Sequence, residues 1–87
     1  MRLVLIKWRD ITSWSGWHDE LLREGKDEPE VFYTVGFLAR KTKDKVTICD
    51  SNPGVGNVTV FPVGCIDSIE YLSVELPPEV RNYKAPK

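Results

Sequence analysis

Apolar residues recur along the chain in five short runs, and their spacing predicts five strands. In the first, residues 2–9, Val4, Ile6 and Trp8 fall on one face, while Leu3 and Leu5 on the other predict burial on both sides. The second, residues 31–41, is apolar on both faces and carries Gly36 at its middle, where a bend or bulge is expected. Thr42-Lys43-Asp44 reads as a hairpin tip, and residues 45–50 return as the third strand. Residues 51–57, Ser-Asn-Pro-Gly-Val-Gly-Asn, are a dense cluster of turn formers. Residues 58–63 form the fourth strand, whose Pro62 argues for a sheet edge or a bulge. Gly64 permits a sharp turn, residues 66–74 are the fifth strand, and Pro77-Pro78 stops the sheet.

The stretch between the first two strands has another character. Residues 12–16 are turn-like, and residues 17–24 predict a short helix with Ser15 as N-cap, Asp19 and Glu20 at its positive end and Gly25 just past its C-terminus. Trp17 and Leu21, four apart, share a face with Leu22, and two turns do not stand alone, so this helix is expected to pack on the sheet. Residues 26–30 read as an exposed loop. The expectation is an all-β, five-stranded, strongly bent barrel with a short helical insertion after the first strand. It occupies residues 1–76, and residues 77–87 are a loosely held C-terminal tail.

Composition then narrows function. A chain of 87 residues is one domain with a small core. Its net charge of -1 excludes attraction of the whole molecule to nucleic acid or anionic lipid, so any such binding rests on a local patch. Arg40, Lys41, Lys43 and Lys45 concentrate positive charge around one hairpin. Such a tip contacts phosphates, or it is a solvated hairpin guarding an edge strand. Residues 19–30 hold six carboxylates against two basic residues, so that half must face away from any polyanion.

All three tryptophans lie between positions 8 and 17. Trp8 and Trp17 read as anchors pinning the helix to the barrel, whereas Trp14, in a serine-rich turn, reads as a ligand or subunit contact. Cys49 and Cys65 have no CxxC spacing and read as reduced, partly buried thiols in a cytoplasmic protein. His18-Asp19-Glu20 are consecutive on a helix and point apart, so no metal site is expected. Gly54-Val55-Gly56 lies between strands and is not a phosphate loop. No catalytic residue and no cofactor is predicted, which leaves a non-enzymatic binding protein. Leu3 to Ile6, the longest apolar run, is too short to cross a membrane.

Gly36, Leu38, Asp44, Val46 and Ile48 in that order, followed by Val60, Gly64, Ile66 and Ile69, resemble the two sequence segments of the Sm-like family of small, SH3-like barrels. The resemblance spans about residues 31–74, with Leu3 to Trp8 as first strand. Two features depart from the family. Its helix precedes the first strand, whereas the candidate here follows it. Thr47 stands in the region of the family's RNA-pocket asparagine, and Val63 replaces a basic residue beside Gly64. The resemblance thus implies a homo-oligomer, such as a ring built by strand pairing, and an RNA or nucleotide ligand without the family's uridine pocket.

The chain also looks like small tailed-phage proteins that share Trp8-x-Asp10, Gly16-Trp17, Gly36-Phe37-Leu38 and Gly64-Cys65-Ile66. That likeness implies a viral origin and action in the host cytoplasm. It leaves open a second function, a protein-interaction module that engages or blocks a host protein through the Trp14 region and the acidic segment.

Overall fold

The computed structural model describes residues 1–11, 13 and 15–87. Its strands are β1 (Leu3–Arg9), β2 (Val31–Lys41), β3 (Lys45–Cys49), β4 (Thr59–Pro62) and β5 (Ile66–Tyr71). Every neighbouring pair is antiparallel, and together they make one sheet in the order β4-β3-β2-β1-β5. The alternation of apolar residues placed all five, β5 alone ending three residues early at Tyr71.

Register sorts the side chains into two faces. Val4 lies opposite Gly36, Ile6 opposite Thr34, and Val46 opposite Phe61. Val4, Ile6, Val46, Ile48 and Phe61 form the core, with Trp8, Leu38, Ile66 and Ile69 packed against it. Ile6 and Val4 are completely buried. Each such side chain contributes about 1.5–3 kcal/mol. Trp8 stacks on Phe32 at 5.0 Å between ring centroids and tilts against Phe61 at 5.3 Å. Its indole N–H donates to Thr34 Oγ1 at 2.8 Å. Because β1 and β4 are not neighbours in the sheet, the Trp8–Phe61 contact requires the sheet to curl over its inner face. Curling stops short of closure. β4 and β5 remain the two edges, joined through a 3-10 turn at Val63–Cys65, and Pro62 ends an edge strand as expected.

Gly36 serves a different purpose from the one its position suggested. The β2–β3 register shifts between Leu38 and Arg40, beyond the glycine. At Gly36 an added Cβ would sit 2.9 Å from Ile48 Cδ1 and 3.0 Å from Cys49 O, so the missing side chain lets β3 close onto β2.

The insertion after β1 departs most from expectation. The helix α1 is only Asp19–Arg23, begins after His18 without a side-chain cap, and buries no residue. Trp17 is 97% exposed and anchors nothing. At five residues α1 is little more than one turn, too short to present a continuous apolar stripe to the sheet. Asp10 N donates to Glu30 O at 2.9 Å, closing the base of residues 10–30, which project as an arm.

The C-terminal residues, expected to be held loosely, are docked instead. Within them α2 (Pro78–Arg81) presents its last carbonyls to the chain's start. The Met1 amine donates to Val80 O, Arg81 O and Tyr83 O at 3.2, 3.3 and 2.7 Å. Asn52 Nδ2 donates to Val80 O at 3.1 Å, and Arg40 Nη2 to Pro86 O at 2.7 Å.

Candidate nucleic-acid interface

The β2–β3 hairpin is built to hold its cations out. Thr42 Oγ1 accepts from the backbone N–H groups of Asp44 and Lys45, both at 3.2 Å, which fixes the tip. Val63 N donates to Asp44 O at 2.9 Å and ties the tip to the 3-10 turn. Arg40, Lys41, Lys43 and Lys45 are all exposed. Arg40 lies opposite Thr47 and Lys41 opposite Val46, so alternation sends these two neighbours to opposite faces. The four do not make a one-sided patch.

Docking of the tail supplies what the hairpin lacks. Between Met1, Leu38 and Ala39 on the sheet and residues 81–87 opposite runs an open groove of about 740 Å³. Arg2, Arg81, Lys84 and Lys87 line it, no carboxylate side chain does, and Tyr83 adds an aromatic ring. The Arg2 guanidinium sits over the Tyr71 ring, 4.1 Å from its centroid. Arg40, through its bond to Pro86 O, joins this groove to the hairpin. The ion pairs found among the described residues, Arg9–Asp67, Arg23–Glu20 and Lys26–Glu24, involve none of these side chains. The basic end therefore draws on three remote parts of the chain. Beyond the hairpin cluster, three cations after Pro78 against the single acidic side chain of Glu79 were the trace of it in the sequence.

The acidic segment lies at the far end. β2 runs eleven residues from the base of the arm to the hairpin, about 33 Å at strand rise. The base of the acidic segment is thus a full strand length from the hairpin cations. Trp14, the remaining candidate, lies outside the described residues.

A second cavity, about 430 Å³, opens near the arm's base, lined by Trp8, Ile11, Phe61, Pro62 and Cys65 among others. Arg9 beside it is held more firmly protonated by the hydrogen bond and charge of Asp67. Both cysteines are free. Burial pushes the Cys49 thiol up, and its Sγ meets Ser51 O at 3.5 Å. Next to it, hydrogen bonds from Asn57 Nδ2 and Ser51 Oγ, both at 2.8 Å, hold the Asp50 carboxyl below its ordinary range. Those bonds brace the 51–57 loop, in which Asn57 adopts a φ of 49°.

His18 Nε2 is bonded to Ser15 O and Glu20 to Arg23, and no metal-holding group of three or more His, Cys, Asp or Glu occurs among the described residues. No helix among them is long and apolar enough to cross a membrane. A scan against protein-family models, a search of curated proteins and a search of solved structures each return no match.

Proposed function

We propose that this protein is a non-enzymatic, Sm/SH3-like small barrel that binds single-stranded nucleic acid or a nucleotide at its basic end. The observation carrying this reading is the groove in which Arg2, Arg81, Lys84 and Lys87 converge beside an apolar floor and Tyr83, with no carboxylate side chain in its wall. Cations take up phosphates, and an apolar, partly aromatic surface accepts unstacked bases. Lys41, Lys43 and Lys45 extend the positive surface past the groove. The strand order, with β1 between β2 and β5, and the curl that brings Trp8 onto Phe61 support the barrel. The unpaired edges of β4 and β5 support a homo-oligomer formed by strand pairing. The phage resemblance points to work in a host cytoplasm.

A fluorescent single-stranded oligonucleotide, followed by anisotropy over a salt series, tests this. Affinity is expected to fall steeply between about 50 and 200 mM salt. Lys41→Glu with Lys43→Glu, or Arg81→Glu with Lys84→Glu, is expected to weaken it further and flatten the salt slope. Absence of binding at low salt, or binding indifferent to both pairs, overturns the reading. The 97% exposure of Trp17 favours one alternative, a module that engages a host protein through the arm. That function predicts no bound nucleotide absorbance near 260 nm and strong sensitivity to Trp14→Ala and Trp17→Ala.

A further inference from the structure

We infer that the arm of one copy docks in the basic groove of a second copy, making a head-to-tail contact between identical chains. Two exposed surfaces of opposite charge motivate it. Residues 10–30 carry seven carboxylates against Arg23 and Lys26, and among the described residues three large apolar side chains are left in solvent there, Trp17 at 97%, Ile11 at 84% and Leu22 at 68% exposure. No residue of α1 is buried against the chain's own sheet. At the other end, the groove offers Arg2, Arg81, Lys84 and Lys87 around the apolar floor of Met1, Leu38, Ala39 and Ala85. Each surface has what the other lacks: carboxylates for cations, and exposed apolar side chains for an open apolar floor.

Reach selects a neighbour's groove over the chain's own. Trp17 is seven residues beyond Asp10, at most about 24 Å of extended chain. The groove begins at Met1, nine residues back along β1, about 30 Å away at strand rise. The structure is 55 Å long, and the arm's base and the groove sit at opposite ends of β1 and β2. Molecules charged in this way align head to tail, and a heterologous contact of that kind closes into a ring or runs on as a chain. This contact is separate from strand pairing along β4 and β5, and it stands whatever else the groove binds. Where nucleic acid binds there too, each excludes the other.

Sedimentation equilibrium of the nucleic-acid-free protein tests the contact. The expected result is concentration-dependent association that weakens as salt rises, since charges at an exposed contact are screened beyond about 10 Å at 0.1 M. Trp17→Ala is expected to lower the association constant about tenfold. The triple change Asp19→Lys, Glu20→Lys, Glu24→Lys should abolish association. These positions are exposed, and an unchanged circular dichroism spectrum confirms that the variants fold. Mixing the triple variant with an Arg81→Glu, Lys84→Glu variant should restore association, because reversed charges then meet. A protein that is monomeric at low salt, or one whose association ignores salt and all arm variants, overturns the inference. Nucleic-acid binding by a strictly monomeric protein would sink this contact while leaving the proposed function intact.

Discussion

The two ends of the molecule are made in opposite ways. The acidic end is one continuous stretch, residues 10–30, closed at its base by the Asp10–Glu30 hydrogen bond and carrying Trp17 almost wholly in solvent. The basic end is assembled from Arg2, from the β2–β3 hairpin, and from a tail whose carbonyls are gathered by the Met1 amine, Asn52 and Arg40. The difference teaches where folding energy and function are coupled. At the basic end the contacts that hold the tail also place the cations, so damage to structure is damage to the site. At the arm, side chains can change with little effect on the fold, because none of its described residues is buried.

The largest expected effects lie in the sheet that separates the two ends. Ile6→Ala, at a completely buried position, is expected to cost about 2–5 kcal/mol. That is a large share of the roughly 5–15 kcal/mol a domain has in total. Leu22→Ala in the arm should stay within about 0.5 kcal/mol. Chemical denaturation of the two variants side by side measures the contrast, and equal losses would break it.

Deleting residues 77–87 comes next. It removes the partners of Met1, Asn52 and Arg40, at about 0.5–1.5 kcal/mol for each lost hydrogen bond. It should also weaken oligonucleotide binding by about tenfold or more as the phosphate contacts go. Loss of affinity without loss of stability would mean that the tail is not docked.

Gly36→Ala should follow, at about 1–3 kcal/mol, as overpacking against neighbours does. One close neighbour, Ile48 Cδ1, ends a side chain that can shift, but Cys49 O is backbone and cannot yield cheaply. A thermal melt that does not move would contradict the tight approach of β3 to β2.

The smallest effect is a pH dependence beside the tail. Hydrogen bonds from Asn57 and Ser51 depress the Asp50 pKa. Its contribution is therefore fully present above the unfolded carboxylate value of about 3.9 and is lost as pH falls through the lower folded value. Carboxyl chemical shifts should show Asp50 titrating below that value, and Asp50→Asn should remove this part of the acid destabilisation. A midpoint at or above the ordinary value would show that the loop is not braced in this way.

How far the sequence could be read follows the same division. Alternation placed every strand because β-periodicity is local, whereas Trp8, expected to pin the helix, packs instead on Phe32 and Phe61 against the core. Pro62 correctly marked an edge. The helix was expected to pack because Trp17, Leu21 and Leu22 form an apolar stripe, but such a stripe does not reveal whether the sheet has room for it. Arg40, Lys41, Lys43 and Lys45 were visible as a cluster because a hairpin keeps them together in sequence. Arg2, Arg81, Lys84 and Lys87 were not, since long-range bonds from the Met1 amine, Asn52 and Arg40 bring residue 2 and residues 81–87 to one groove. Tertiary closure of this kind leaves no periodic signal.

Amide chemical shifts of isotope-labelled protein, followed as a short single-stranded oligonucleotide is added at low salt, test the basic end most directly. Perturbations are expected at Arg2 and at residues 38–45 and 81–85, saturating together and reversing with salt, while at protein concentrations too low for association residues 17–24 stay unmoved. Shifts confined to the arm or to the Trp8–Phe61 cavity, or no shifts at all, would contradict a nucleic-acid interface at the basic end.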